Sequence, residues 1–435
     1  MLNAIRNFFH LKENKTTIAT EVMAGFTTFM AMAYIIFVNP SFLSQTGMDF
    51  TAVMIGTCIA AAVGTLLTAF IANVPFAQAP GMGLNAFFTF TVCFGMGYSW
   101  QQALAIVLLS GILFLLVAIS PLRSKIISSI PASLKSAISV GIGLFIALIG
   151  LFNAEIITAN DNLLSLNLVG APQLLALGGL LLTAIFMMFK LKGAILFGII
   201  ATTIVALIVG VAKLPTDVAL HNISLAPVFF KFDFNLLSLG LIPLITTILS
   251  FTLVDMFDTV GTLIGTAENA GMLDKDGNLP RGDRALIADA IATCAGACLG
   301  TSTVTTYVES ATGIEQGGRT GLTSVVVGIL FLLAIFLAPI AGIVPAAATA
   351  PALIIVGVLM MGSVSKIDWK NLEVAIPAFL TVVMMPFAYS ISDGIGFGFI
   401  SYTLIKLIRG KAHEVHWLMW ILSSLFVLKY LVAFL

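Results

Sequence analysis

Charged residues are scarce in this chain. Asp, Glu, Lys and Arg make up 9% of its 435 residues, against about 25% in a soluble globular domain. That shortage excludes a soluble enzyme, a nucleic-acid-binding protein and a disordered scaffold. The few charges cancel, 20 basic against 20 acidic, so net charge names no partner. Histidine is limited to His10, His221, His413 and His416, all outside the interior apolar stretches. No imidazole is therefore available there for metal or base chemistry. The HEVH at 413–416 is one residue short of HExxH. The four cysteines, Cys58, Cys93, Cys294 and Cys298, show neither a disulfide framework nor a CxxC metal pattern. Cys294 and Cys298 read as small packing residues on one helix face. No GxxxxGK[ST] loop occurs, which argues against ATP-driven work by this chain alone. Residues 1–18 are polar and basic, and no short apolar core with a small-residue cleavage site follows them. The first apolar stretch is expected to act as an uncleaved anchor.

What the chain has in abundance is apolar sequence, 59% of its residues, with a mean hydropathy of +1.10. A helix needs about 20 such residues to cross a bilayer. On that rule spans are expected near 19–39, 51–74, 79–96, 100–120, 132–153, 172–190, 193–213, 240–267, 284–300, 302–316, 320–343, 345–365, 372–391 and 393–409. A last apolar segment, 416–435, lies at the membrane surface or across it. Spans 3 and 10 are poor plain helices. The first opens APGMGLN, and residues 301–316 read TSTVTTYVESATGIEQ. With the N-terminus placed inside, 17 Lys and Arg fall on the cytoplasmic face: Arg6, Lys12, Lys15, Arg123, Lys125, Lys135, Lys190, Lys192, Lys275, Arg281, Arg284, Arg319, Lys366, Lys370, Lys406, Arg409 and Lys411. Lys213 and Lys231 fall outside, and Lys429 belongs to the last segment. This asymmetry sets the orientation and supports the number of spans.

The chain also resembles itself at an offset near 217. GILFLLVAISP at 111–121 answers GILFLLAIFLAP at 328–339, and GAILFGIIATTIVALIVG at 193–210 answers DGIGFGFISYTLIKLIRG at 393–410. Ile130-Pro131-Ala132 and Val344-Pro345-Ala346 each open a span just after the first pair. An odd number of spans per repeat, seven, forces opposite insertion of the two halves. Inverted repeats mark alternating-access transporters, whose sites form at mid-membrane where paired discontinuous helices meet. Spans 3 and 10 therefore point to the site. The segment 416–435 has no partner in the first half.

Ionisable groups inside spans are costly and usually functional. Here they are Asp255, Asp258, Asp289 and Glu309, with no Lys or Arg in the core spans to neutralise them. Asp255 and Asp258, at i and i+3, are expected on one helix face. A carboxylate held in the membrane without a cation is a group that takes up and releases protons. Asp258 and Glu309 read as functional. Asp255 reads equally as functional or as a brace for span 8. Asp289, beside a small-residue run, reads as a structural hydrogen-bonding partner of a neighbouring helix. Glu21, Glu268 and Glu315 read as solvated ion-pair residues, and Asp274, Asp276 and Asp283 as surface charges in a polar loop. Asn85 offers donors and an acceptor at membrane depth. Gly81 and Gly83 beside it allow close backbone approach to a ligand or to a neighbouring helix.

Three motifs in order, APGMGLNAFF at 79–88, VDMFDTVGTLIGTAENAGM at 254–272 and TSTVTTYVESATGI at 301–314, resemble the AzgA-like purine permeases, within the nucleobase–cation symporters. The resemblance runs from about Phe8 to Lys411. It implies an all-α polytopic fold like that of the uracil transporter: 14 spans in two inverted repeats of seven, with short strands in broken spans 3 and 10. It divides the chain into a cytoplasmic N-terminus (1–18), core-domain spans 1–4 (19–120), gate-domain spans 5–7 (121–213) and an extracellular linker (214–239). Core spans 8–11 (240–343), gate spans 12–14 (344–410) and a C-terminal apolar helix (411–435) follow. It implies substrate binding by Asp258, Glu309, Asn85, Gly83 and Val308, and proton coupling through Asp255, Asp258 and Glu309. Where the uracil carrier has a His in span 8, this chain has Thr262, which shifts proton handling onto the carboxylates.

The function expected is proton-coupled import of purine bases (hypoxanthine, guanine, adenine) across the cell membrane. The expected partners are the base, protons and the bilayer, with no cofactor, metal or nucleic acid. Relatives with this fold often dimerise through the gate domain, so a homodimer is compatible with it. Uracil or xanthine is the alternative substrate. An anion carrier on the same fold needs positive groups where this chain has acids. An intramembrane enzyme needs a Ser–His pair or metal cluster that the spans lack, and a channel needs a repeated filter sequence.

Overall fold

Each apolar stretch folds as a helix or as a strand followed by a helix, because within a bilayer the backbone has no water to bond. The computed structural model describes residues 2–160, 163–212, 224–274, 279–338 and 342–434. Lys213, His221, Lys275, Asp276 and residues 214–223 of the linker lie outside the described residues. Among the described residues eight helices are long and apolar enough to cross a membrane: Ile18–Thr46, Phe50–Ala72, Trp100–Ile119, Ala132–Asn153, Ala171–Met188, Leu241–Glu268, Ala346–Lys366 and Ile391–Ile408. Shorter apolar helices stand at Met82–Gly95, Ala194–Val209, Gly321–Leu337, Leu372–Phe387 and Trp417–Leu431. Local sequence sets several ends. Ser99 and Gln102 form a reciprocal capping box on Trp100–Ile119, which supplies two backbone donors with acceptors.

The helices pack in two groups. Ile18–Met32, Phe50–Leu67, Trp100–Ile119, Leu241–Asn269, Gly282–Cys298 and Gly321–Ala334 form one. Ala132–Asn153, Ala171–Met188, Ala194–Val209, Ala346–Met360, Leu372–Phe387 and Ile391–Ile408 form the other. The repeated GILFLL motif shows what its first residue is for. A Cβ on Gly111, in span 4, would meet the Cys294 sulfur of span 9 at 2.8 Å. A Cβ on Gly328, in span 11, would meet Leu66 of span 2 at 2.9 Å. Spans 4 and 11 correspond in the two repeats, as do 2 and 9. One glycine thus serves the same close helix contact twice, and Cys294 is a packing residue there.

The strands are β1 (Gln78–Pro80), β2 (Ile157–Asn160), β3 (Leu163–Leu166) and β4 (Val304–Thr306). β1 pairs antiparallel with β4, Gln78 opposite Thr306 and Pro80 opposite Val304. The strands expected in spans 3 and 10 are thus one two-stranded sheet. The β2–β3 pair, between spans 5 and 6, lies outside the expected spans, although Asn160-Asp161-Asn162 between its two short apolar runs is a turn signal in the sequence.

One further expectation changes and two are made more specific. Glu21 is no solvated ion-pair residue. It is fully buried and accepts from the backbone N–H of Arg319 (2.9 Å), Thr320 (3.3 Å) and Thr323 (3.2 Å). A carboxylate there supplies acceptors to the free N–H groups opening Gly321–Ala334. Asp283 lies in the first turn of Gly282–Cys298, where Arg123 pairs with it at 2.8 Å. The C-terminal helix Trp417–Phe434, for which both a surface and a crossing placement were open, lies alongside span 14. Ser423 donates to the Phe399 carbonyl at 3.0 Å, Phe426 meets the Phe399 ring, and Lys429 pairs with Asp393 at 2.7 Å. Rising numbers on one helix meet falling numbers on the other, so the two run antiparallel. Lys429→Met strands Asp393 in apolar surroundings. The expected loss is on the order of 1–3 kcal/mol, below the 3–5 of a fully buried pair, because the two side chains keep 12% and 27% exposure. A lowered thermal midpoint in detergent, restored by adding Asp393→Asn, checks this.

Candidate functional site

The site is built on the β1–β4 pair. Beyond the strand register, the Gly81 N–H donates to the Thr303 carbonyl (3.0 Å) and the Tyr307 N–H to the Ala77 carbonyl (3.0 Å). The Tyr307 hydroxyl donates to the Pro80 carbonyl at 2.6 Å. Each strand leads into a half-helix, Met82–Ala86 after β1 and Ser310–Glu315 after β4. The helix Leu241–Asn269 passes beside the sheet and carries Asp255 and Asp258.

Asp258 is solvent-exposed at membrane depth, and its carboxylate accepts from the Thr305 hydroxyl of β4 at 3.5 Å. Toward the C-terminal end of the same helix, Gly261, Ile264 and Glu268 are exposed too. Open space surrounds Gly261 and Gly265. This stripe leads from Asp258 toward the end of the helix that packs on Ala72, Val74 and Phe76. Val308, 56% exposed, and half-buried Glu309 open the second half-helix. The Tyr34 hydroxyl donates to Glu309 at 2.5 Å.

Asp255 behaves differently from Asp258. The i, i+3 spacing is expected to bring the two to one face, yet Asp255 is 1% exposed and turned toward Gly282–Cys298. The Thr293 hydroxyl lies 2.9 Å from Asp255 Oδ2 and 3.0 Å from the Val304 carbonyl. It has one proton and donates to one of them at a time. Asp255 Oδ1 has no partner. Asp289 is fully buried and accepts from Gln78 Nε2 at 2.9 Å and from the Thr259 hydroxyl at 2.8 Å. It is the hydrogen-bonding partner of a neighbouring helix that its surroundings suggested, and of β1 as well. Thr259 and Thr305 stand 2.9 Å apart. Each hydroxyl has one proton, so with Thr259 donating to Asp289, Thr305 donates to Thr259 or to Asp258 but not to both. Among the described residues no Lys or Arg pairs with any of the four carboxylates.

Asn85 is buried. It accepts from the Ser302 hydroxyl and its Nδ2 lacks a partner. The neighbouring glycines are explained by packing. A Cβ on Gly81 would meet Thr305 at 2.6 Å, and one on Gly83 would meet Ile142 of span 5 at 2.5 Å. A separate cavity of about 300 Å³ lies at the opposite face, among Phe37, Ser41, Gln45, Asn153 and Thr349. It holds none of the carboxylates.

Broken spans of opposite insertion, paired strand to strand with acids at their junction, are the architecture of a carrier. The chain matches the model of the Permease family over residues 19–397. The chain belongs to this family. It is a multi-pass membrane permease, a transport protein and no enzyme. It is 49% identical to a putative permease of Methanocaldococcus jannaschii, over 99% of both chains. It is 44% identical to the adenine permease AdeP of Escherichia coli, over 98% of this chain and 95% of that one. It is 43% identical to the guanine/hypoxanthine permease PbuG of Bacillus subtilis, over 98% and 99%. In fold, the permease is similar to the transmembrane domain of a cyanobacterial bicarbonate transporter, BicA (TM-score 0.63, 15% identity, 87% and 97% covered). It is also similar to the murine anion transporter Slc26a9 in its inward-facing state (0.66, 10%, 90% and 69%).

Sequence reasoning missed Tyr34, Gln78, Thr259 and Thr305 as parts of this permease's site. The threonine-rich TSTVTT was the one visible signal, since hydroxyls so crowded in an apolar span need partners.

Proposed function

We propose that this permease imports purine bases, hypoxanthine, guanine or adenine, together with protons, by alternating access. One observation carries the reading. Asp258, hydrogen-bonded to Thr305 of β4, and Glu309, at the half-helix after β4, stand at the paired broken spans with no cation on either among the described residues. The exposed stripe beside Asp258 is the crevice we infer to reach them, in a chain whose relatives are named adenine and guanine/hypoxanthine permeases. A purine is planar and carries N–H donors and ring-nitrogen acceptors. Carboxylates accept charge-assisted hydrogen bonds from such an edge. Asn85, with its unpartnered Nδ2, supplies a donor, and Gly83 and Val308 supply backbone at the two half-helices. Asp258, Glu309 and the buried Asp255 are the proton-carrying candidates.

The two helix groups support a core domain (19–120 and 240–343) that moves against a gate domain (121–213 and 344–410). With the N-terminus cytoplasmic in the cell membrane, the crevice opens inward. Gate-to-gate contact is the proposed dimer interface.

The test is uptake of labelled hypoxanthine into proteoliposomes, with an inward proton gradient, with a protonophore, and with adenine, guanine, xanthine and uracil as competitors. Gradient-dependent uptake blocked by purines and not by uracil is expected. Uptake blocked by uracil instead moves the permease to the pyrimidine class. No uptake by folded protein refutes the reading.

A further inference from the structure

The helix of span 1, Ile18–Thr46, changes its winding part-way along. Between Ile18–Met32 and Ile35–Leu43 the backbone stays helical but tightens to i→i+3 bonds, Ile36 to Ala33 and Phe37 to Tyr34, and Tyr34 stands at that junction. Nothing in its apolar surroundings calls for a phenol, and its side chain is 1% exposed. Its hydroxyl stands 2.5 Å from Glu309 Oε1, on an element 275 residues away. A buried phenol needs a partner, and this one has a carboxylate of the proposed site.

The junction is held from both sides. The half-helix Ser310–Glu315 packs on Ile18–Met32 so closely that a Cβ on Gly313 would meet the Thr28 hydroxyl at 2.1 Å and the Ala24 carbonyl at 2.5 Å. Span 1 and the half-helix thus form one rigid unit, and the Tyr34–Glu309 contact is fixed by that packing. A glutamate with one oxygen tied in this way has fewer rotamers open to it, and Glu309, half-buried, leaves its second oxygen, Oε2, for a ligand. An untied glutamate has several rotamers, and the cost of ordering it falls on each binding event.

We propose that Tyr34 is a positioning residue for Glu309, presenting one carboxylate oxygen to the hydrogen-bonding edge of the transported base. The inference rests on the purine-transport reading and deepens it by naming what orients the acid.

The test measures labelled hypoxanthine binding and gradient-driven uptake for the wild type, Tyr34→Phe, Glu309→Gln and the double variant. Tyr34→Phe is expected to raise KM about tenfold or more, the usual range for a lost hydrogen bond to a charged group. Vmax changes far less, the pH dependence of KM moves, and the thermal midpoint stays within a degree or two. In the Glu309→Gln background the same substitution is expected to add no further loss of binding. If Tyr34→Phe folds poorly, replacement of Tyr34 by a ring-fluorinated tyrosine keeps the shape and alters only the hydroxyl's acidity. A displaced pH profile supports the role there too. Wild-type binding with unchanged KM and pH profile in the Tyr34 variants, or equal losses with and without Glu309, overturns the inference alone. A wild type that binds no base overturns the transport reading itself.

Discussion

Glu309→Gln is expected to lower binding of the base about tenfold to a hundredfold and to abolish its accumulation against a gradient, with the fold intact. Glutamine is the right size, and its carbonyl still accepts from Tyr34, so packing changes little. What changes is the group facing the crevice. Glu309 presents an acceptor there, whereas the variant presents an N–H₂ donor to a base edge that is itself rich in N–H. Loss of a charge-assisted hydrogen bond costs about 1.5–3 kcal/mol, and each 1.4 kcal/mol is tenfold in affinity. A neutral amide also carries no proton. Equilibrium binding and gradient-driven uptake, read side by side, separate the two losses. Unaltered, still proton-driven uptake removes Glu309 from the mechanism.

Asp289→Ala is expected to be the most damaging single change to stability among the carboxylates. Asp289 touches no crevice, yet it accepts from Gln78 Nε2 and from the Thr259 hydroxyl, and so ties the first strand to the helix bearing Asp258. Alanine removes the acceptor of both. Thr259 still reaches Thr305, while Gln78 Nε2 keeps only the Thr306 hydroxyl at 3.4 Å, a loss of about 1–3 kcal/mol, plus a cavity beside a two-stranded sheet of three residues per strand. The thermal midpoint falls sharply, and uptake is lost with the sheet. Asp289→Asn is expected to be far milder. Gln78 Oε1 has no partner, and rotation of that amide presents it to the new N–H₂. A large gap between the two variants in thermal unfolding identifies hydrogen-bond satisfaction as the role. Equal damage by both points to a need for the carboxylate's charge or proton.

Much of this is written in local sequence. The scarcity of charge forces the chain into a bilayer, where a backbone without water must form helices. The Gly and Pro residues of APGMGLN and the hydroxyl-rich TSTVTT cannot continue such helices, so the breaks at spans 3 and 10 are readable, and the GILFLL repeat makes the two halves comparable. Asp258 and Glu309 are conspicuous because nothing near them in sequence neutralises them. Partners that depend on strangers in sequence are not readable in this way. Tyr34 looks like one aromatic among many until the half-helix Ser310–Glu315 packs on span 1 and brings Glu309 to it. Glu21 looks like a solvated end residue until the N-terminus of Gly321–Ala334 arrives to use it. Asp255 and Asp258 differ by three positions, a little under one turn, and only the packing of Gly282–Cys298 turns the first inward while the second meets the crevice.

By itself, then, the sequence determined that this protein lives in a membrane, where its spans break and which acids it can least hide. Hydropathy, backbone hydrogen bonding and the cost of a lone charge are all local in their physics. Tertiary structure alone decided that β1 meets β4, that Asp289 takes hydrogen bonds from both Gln78 and Thr259, that Tyr34 holds Glu309 and that the last helix lies against span 14. Each of these contacts joins residues far apart along the chain, and its free energy exists only once helices pack closely enough for hydroxyls and amides to reach.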